Sequence, residues 1–437
     1  MNIAQLLFLK TKGLIYNIKG HEIYCWGFIL KKVFFISIQK RNFLIMWAAN
    51  FFVAASATMI MPFLSLYLST FGDFSDDYVR KWAGYVFGIS FLMAFLVSPL
   101  WGRFGDKFGY KKILLITGSG IATSILLMGF VNSVHELFLL RLLMGAVTGF
   151  IPTSLALISA QTKKEVAGRT LGTLQMGTVS GGLFGPLIGG LLADQFGFTY
   201  TFFITAGVIY ISVLLVAFGI KEAPLRGKEE KKKSYTRKQV LQHIFKSPLL
   251  LTIMFLTLLV QIGNFSIQPL LALYVSELHG PVNLAFFSGL AFSATGAGNL
   301  LASRRWGSLG DRIGHERVLI GLLIASVFCF IPQALVQTLW QLMIFRFLFG
   351  MAIGGIIPCI TAFIRQTAPV AMQGEVLGYN VSFKFLGNVI GPVLGGVIAG
   401  SFGISAVFYV TAGLFLCSAI LLWKSLRSEQ KALAKAS

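Results

Sequence analysis

The sequence predicts an all-α membrane protein in which twelve transmembrane helices form two pseudo-symmetric six-helix bundles. Three observations predict it. The 437 residues are 56% hydrophobic and only 12% charged, with a mean hydropathy of +0.77, an apolar load that a water-soluble fold would expose as adhesive patches. Twelve apolar runs are long enough to cross a bilayer, which takes about 20 residues of helix. A twelve-residue segment also occurs twice, 205 positions apart.

The first copy of that segment is Trp101-Gly102-Arg103-Phe104-Gly105-Asp106-Lys107-Phe108-Gly109-Tyr110-Lys111-Lys112. The second is Trp306-Gly307-Ser308-Leu309-Gly310-Asp311-Arg312-Ile313-Gly314-His315-Glu316-Arg317. Each follows one apolar run and precedes another, so each reads as a tight, basic loop between two membrane helices. A loop duplicated at half-chain spacing means two similar halves, an internal repeat that in membranes points to a transporter.

The predicted helices 1 to 12 cover 43–68, 82–101, 113–131, 137–160, 170–193, 200–220, 249–275, 284–303, 318–336, 340–364, 377–399 and 405–424. Glycines inside these runs would weaken helices in water; in lipid they let helices approach closely. Twenty-five Lys and Arg fall in the loops and tail on one side, against Arg80 and Lys81 on the other. The positive-inside rule then places both termini in the cytoplasm of a multi-pass protein of the bacterial cytoplasmic membrane. That distribution also accounts for the net charge of +21 without nucleic acid.

The polar stretch 221–248 reads as a solvated linker between a bundle at 41–220 and a bundle at 249–424, and 425–437 reads as a cytoplasmic tail. Residues 1–40 form an N-terminal extension. Its apolar part, 23–38, is interrupted by Lys31-Lys32 and is too short to span. It reads either as an amphipathic segment on the inner leaflet or as a dispensable addition. Cys25, Cys329, Cys359 and Cys417 lack ligand spacing, so no metal or disulfide framework is implied.

The halves match beyond the doubled segment. Met61-Pro62 through Ser69 in helix 1 pairs with Gln268-Pro269 through Ser276 in helix 7. Arg141 and Gly145 in helix 4 pair with Arg346 and Gly350 in helix 10. Gly185-Pro186 and Gly189-Gly190 in helix 5 pair with Gly391-Pro392 and Gly395-Gly396 in helix 11. Six helices return the chain to its starting side, so the repeat is parallel, about an axis along the membrane normal.

These residues resemble the major facilitator superfamily over about 41–425. Gly102, Asp106, Lys107, Gly109, Lys111 and Lys112 fill its G-x-x-x-D-(R/K)-x-G-x-(R/K)-(R/K) loop signature. Gly177, Gly181, Gly185, Pro186, Gly189 and Gly190 look like the helix 5 motif of its drug:proton antiporter branch. Arg141 with Gly145 looks like that branch's R-x-x-x-G. The chain is most similar to twelve-helix multidrug and fluoroquinolone exporters of Gram-positive bacteria.

The resemblance implies a gating loop in which Asp106 latches the cytoplasmic side, paired with basic loop residues and near a helix N-terminus of the opposite half. Asp311 and Arg312 are the weaker second copy. Gly102, Gly105 and Gly109 are expected to let the loop reverse. The helix 5 glycines and Pro186 are expected to act as hinge and seal between the halves. Arg141, an intramembrane charge and so functional by default, is placed in the central cavity with a part in proton coupling. Asp106, Glu136 and Glu277 are the other proton candidates.

The substrate cavity is expected near the midplane between the halves. Its candidates are Asn50, Phe51, Met59 and Tyr67 on helix 1, Phe91 on helix 2, and Arg141. From the second half come Gln261, Asn264, Phe265 and Gln268 on helix 7, Arg346 on helix 10, and Asn380, Lys384 and Asn388 on helix 11. Amides at lipid depth need partners or a wet cavity. None of the 16 acidic residues falls at the midplane, which favours neutral, zwitterionic or anionic substrates over lipophilic cations.

The function expected is export of amphipathic drugs by proton antiport. Its partners are a small-molecule substrate, protons and the bilayer, its driving force is the proton gradient without a cofactor, and the working unit is a monomer. The competing readings are a same-fold transporter of one sugar or metabolite and a non-transporting sensor. An enzyme is not expected, and no G-x-x-x-x-G-K-[ST] loop for an ATP-driven pump occurs. Deleting residues 2–39 is expected to leave insertion and transport unchanged; membrane fractionation and an efflux assay on the truncated protein check this.

Overall fold

The computed structural model describes residues 38–162, 164–221, 237–370 and 372–436, and among them the chain is helical without a strand. The extension before residue 38 and most of the 221–248 linker lie outside the described residues. Helix 1 is Ile38–Met59, resumed as Leu64–Ser69. Helix 2 is Asp76–Phe108, helix 3 Tyr110–Met128, and helix 4 Val134–Ala146 with Phe150–Gln161. Helices 5 and 6 are the two arms of Lys164–Gly219.

A short helix, Arg237–Lys246, precedes helix 7 (Pro248–Ser266, resumed as Leu271–His279) and buries Val240 and Ile244 against it. Helices 8 to 12 are Leu284–Ile313, His315–Gln333, Leu339–Thr367, Gln373–Phe402 and Ile404–Ala436. Ser75, Ser133, Ser247 and Thr338 cap helices 2, 4, 7 and 10, each hydroxyl accepting from the backbone N–H three residues on.

Lys164–Gly219 explains how eleven long apolar segments make twelve crossings. Fifty-six residues of straight helix would reach about 84 Å, far beyond a hydrocarbon core of about 30 Å. The segment folds back at Gly197, whose φ is 81°. Its neighbours follow the reversal: Gly189 abuts Met59, Thr205 lies against the Met59 sulfur, and Gly219 abuts Ile45. Gly403, between helices 11 and 12, repeats the turn with φ 84°.

The doubled segment is not a loop. Helix 2 runs unbroken through Phe108 and helix 8 through Ile313, and each reversal rests on one residue, Gly109 with φ 96° and Gly314 with φ 98°. Only glycine takes that backbone freely. Gly102 and Gly105 are ordinary helical residues: a side chain at Gly102 would meet nothing within 4 Å, while Gly105 makes room for the Tyr110 ring. A 33-residue helix extends about 50 Å, so its charged last turns leave the hydrocarbon without ending the helix.

The repeat holds at the level of single hydrogen bonds. Trp101 Nε1 donates to the Ala146 carbonyl and Trp306 Nε1 to that of Met351, both at 2.8 Å. The Tyr67 hydroxyl donates to Met128 O at 3.0 Å, the Tyr274 hydroxyl to Gln333 O at 2.7 Å. Two apolar cores result, one within 46–220 apart from Ala285, the other within 240–422. Large apolar side chains such as Phe218, Phe328 and Phe402 stay exposed outside them, the surface that a bilayer would cover.

Gly109→Val should destabilise the protein by about 1–3 kcal/mol, the cost of a glycine-only backbone region, whereas Gly102→Ala should be near neutral. Thermal melting of the two purified variants in detergent checks the contrast.

Candidate substrate pathway and its gates

The halves meet along two seams. In the first, helix 5 lies on helix 8: Gly190 abuts the Ala285 carbonyl, Gly289 abuts the Pro186 carbonyl, and Ser293 Oγ donates to Leu183 O at 2.8 Å. In the second, helix 2 lies on helix 11: Gly84 abuts the Pro392 carbonyl, Gly88 the Val393 side chain, and Gly396 the Arg80 carbonyl. Without side chains at these glycines the backbones close to contact, which is how helices associate in lipid. Phe91 of helix 2 meets Phe265 of helix 7 edge to face, centroids 5.1 Å apart.

Each seam ends in a charged contact matched to a helix dipole. Asp194, near the end of helix 5, accepts from the backbone N–H groups of Ala285 at 3.1 Å and Phe286 at 2.7 Å. Those groups open helix 8, where unpaired donors and the positive dipole end favour a carboxylate. On the other seam Arg80 donates to the Ala399 carbonyl in the last turn of helix 11 at 3.4 Å and pairs with Glu277 of helix 7 at 3.2 Å. A cation at a helix C-terminus is the complementary arrangement.

All these contacts lie toward one end, opposite the described chain termini. Among the described residues, every hydrogen bond and ion pair joining the halves belongs to this set. Among the described residues, none of these hydrogen bonds or ion pairs joins the halves at the end carrying the doubled segment. There Asp106 accepts from the Tyr110 hydroxyl at 2.7 Å, and Asp311 pairs with His315 at 3.3 Å, both within their own half. Lys107 lies over the Phe108 ring, Lys111 donates to Ile220 O at 2.8 Å, and Lys112 and Arg312 are exposed. The latch expected of Asp106 is therefore not engaged across the halves in this conformation.

Several expected placements change. Arg141 is buried between helices 2 and 4, donating to Val86 O at 3.3 Å, contacting the Met144 sulfur at 3.5 Å and lying over the Phe87 ring. Backbone and aromatic faces solvate it, and Glu136 takes no part. Glu136 instead closes its own helix start by accepting from Asn132 N at 2.9 Å, as Gln341 does for helix 10. Arg346 is equally buried, but its Nε and Nη1 have no partner. Glu277 pairs with Arg80 at the end of the helix 2–helix 11 seam.

The helix 5 glycines split. Gly177, Gly181, Gly185 and Gly189 form a four-residue-spaced stripe against Trp47, Phe51, Ala55 and Met59 of helix 1, inside one half. Only Gly190 and Pro186 of the motif touch the other half. The stripe seats helix 5 rigidly on helix 1, and the interface falls on the adjacent helix face. Met59 and Tyr67 are core residues of the first half. Asn50 is fully buried with neither amide atom paired, and Phe51 stacks on Trp47.

In the second half, Asn380 accepts from Thr257 Oγ1 at 2.8 Å, tying helix 11 to helix 7. The carbonyl oxygens of Gln261 and Asn388 are buried without partners. Asn264, Phe265, Gln268 and Lys384 are half-buried. Helices 1 and 7 are both interrupted where Pro62 and Pro269 stand, the discontinuous form that lines binding sites in repeat transporters. Asp194 and Arg80 were not among the expected site residues. Arg80 carried a signal, as one of two cations on a side otherwise lacking them; for Asp194 the sequence held only an acid after a glycine motif.

The family model described as Major Facilitator Superfamily matches residues 46–304 and again 253–437. The chain belongs to that superfamily. It is 68% identical over 392 residues to the uncharacterized MFS-type transporter YuxJ of Bacillus subtilis, covering 90% of this chain and all of that one. It is 43% identical over 397 residues to the multidrug resistance protein MdtG of Citrobacter koseri, covering 90% and 97%. Among solved structures, this facilitator superposes on a bacterial homologue of the lysosomal transporter Spinster, in an inward-facing and occupied conformation, with a TM-score of 0.74 at 14% identity over 88% and 96% of the chains. The nucleoside transporter NupG gives 0.73 at 14% identity over 90% and 99%. The latter two likenesses concern the fold.

Asp194→Asn should weaken this seam by about 0.5–1 kcal/mol, the worth of an exposed carboxylate on a helix N-terminus, or roughly two- to five-fold in the population with the seam intact. Spin-label distances between the end of helix 5 and the start of helix 8 would register the shift.

Proposed function

We propose that this chain is a secondary active exporter that moves amphipathic compounds out of the cytoplasm by proton antiport, with alternating access between its two half-bundles. The observation that carries the reading is the one-ended seal. Two repeat-related halves, each internally locked by backbone contacts, are joined among the described residues by polar contacts that gather toward one end. A channel would need a continuous path, and a scaffold gains nothing from seams that part at one end. The names of the MdtG relatives and the antiporter-like glycine motif support drugs as cargo.

The Lys and Arg distribution puts the described termini, and the open end, in the cytoplasm, so the conformation is inward-facing. In that state Asp106 stands clear of the opposite half, as a cytoplasmic latch must when the inner gate is open. Its engagement belongs to the outward-facing state, where closing the cytoplasmic end would bring it to a helix N-terminus.

Energised cells expressing the protein should extrude norfloxacin or ethidium faster than vector controls, and a protonophore should abolish the difference. Equal efflux of both compounds in expressing and control cells would refute the export reading. Asp106→Asn should lower the transport rate roughly five-fold, the effect of about 1 kcal/mol on a gating equilibrium, at unchanged membrane expression measured by immunoblot.

A further inference from the structure

Three cations lie deep in the described membrane helices, Arg141, Arg346 and Lys384, and no carboxylate lies at comparable depth. The first two sit inside their own half-bundles. Lys384 is placed differently. It begins about 16 Å into helix 11 from the open end, with Asn380 one turn before it and Asn388 one turn after. Helix 11 turns Gly387, Gly391 and Gly395 to helix 7, where they abut Gln261, Ile262 and Ser266. It turns Val389, Pro392, Val393 and Gly396 to helix 2 at Gly84 and Gly88. Leu386, Ile390 and Val397 are exposed on the lipid side.

At 100° per residue, Lys384 and Asn388 fall on the side opposite that lipid face, in the wedge between helices 7 and 2. Val381, one turn nearer the open end on the same side, is 47% exposed. Toward the other end the wedge is shut by the helix 2–helix 11 seam and by the Phe91–Phe265 contact. Lys384 thus stands in the wedge between the halves, on the near side of the shut seam, and pairs with no carboxylate among the described residues. Asn388 Oδ1, one turn further along helix 11, and Oε1 of Gln261, which abuts Gly387, are buried and unpartnered. Either amide can rotate to present its N–H₂ instead.

A cation and two adaptable amides in an interhelical wedge capped by two aromatic rings suit one ligand chemistry. We infer that Lys384, with Asn388 and Gln261, binds the acidic group of an amphipathic organic anion, whose apolar body packs on Phe91 and Phe265. The inference rests on the transport reading and names its substrate class. The ammonium gains the counter-charge that the chain withholds from it, and the ligand carboxylate, sulfonate or phosphonate gains charge-assisted hydrogen bonds. A lipophilic cation meets like charge there.

Binding to the purified full-length protein in detergent separates this inference from the export reading, because it needs no gradient. Fluorescence anisotropy with fluorescein as the anion and ethidium as the cation is the measurement. Wild type should bind fluorescein at least ten-fold more tightly than ethidium. Lys384→Gln should lose at least ten-fold in fluorescein affinity with ethidium binding unchanged, and Lys384→Arg, which keeps the charge, should stay within about three-fold of wild type. Equal wild-type affinities, or fluorescein binding untouched by Lys384→Gln, would overturn the inference while leaving export of other compounds intact. Lys384-dependent binding without efflux in cells would instead overturn export and leave the site. Gel-filtration profiles monitor folding, and if Lys384→Gln misfolds, the decision passes to the wild-type preference and to Lys384→Arg: a ten-fold loss in a folded Lys384→Arg would also count against a charge-based site.

Discussion

Inside a bilayer, lipid tails are as apolar as leucine, so no hydrophobic force drives helices together, and what holds them is close contact between backbones. The rest of this structure depends on that constraint. Helix 5 seats Gly177, Gly181, Gly185 and Gly189 on helix 1, and helix 11 seats Gly387, Gly391 and Gly395 on helix 7. Each stripe fixes two helices of one half at a distance no side chain would permit. The seams between halves use the same device, through Gly84, Gly88, Gly190, Gly289 and Gly396.

The ends of the two seams show how a duplicated architecture becomes asymmetric. By the repeat, Asp194 of helix 5 corresponds to Gly400 of helix 11, and Ala285 at the start of helix 8 corresponds to Arg80 at the start of helix 2. One seam therefore closes with an acid on a helix N-terminus, the other with a base on a helix C-terminal carbonyl. The backbone is common to both halves; the charge that closes it has been reversed. A similar divergence affects the buried arginines. Met144 supplies a sulfur to Arg141, but its counterpart beside Arg346 is Phe349, which offers none, and there two guanidinium nitrogens go unpaired.

What was legible in the sequence follows from what a one-dimensional pattern encodes. Apolar run length gave the crossings, and the 205-residue offset gave the halves, because both are properties of the chain alone. The doubled segment reads as a loop only if polarity ends a helix; charge marks where a helix leaves lipid, not where it stops, and the stop is written in Gly109 and Gly314. The helix 5 motif was legible as close packing but not as to which neighbour it packs on, since residues one position apart, Gly189 and Gly190, face different halves. Asp194 was invisible as a gate because its partners are backbone N–H groups, which have no sequence signature.

The distribution of charge along the pathway then limits how a gradient can act on this fold. An acid at the midplane would pair with the deep cations and cancel them; without one, the interior is basic and the acids stand at the ends. Asp194 and Glu277 are engaged across the seams between the halves, and Asp106, at the other end, accepts from Tyr110 within its own half. These are the groups at the gates that a proton can neutralise, and neutralising one removes the charge its helix terminus or arginine attracts. On the proposed antiport, a proton would change which end is closed by acting on the closures themselves, leaving the basic interior to hold cargo. Coupling and binding need not share a residue when the gates carry one sign of charge and the cavity the other.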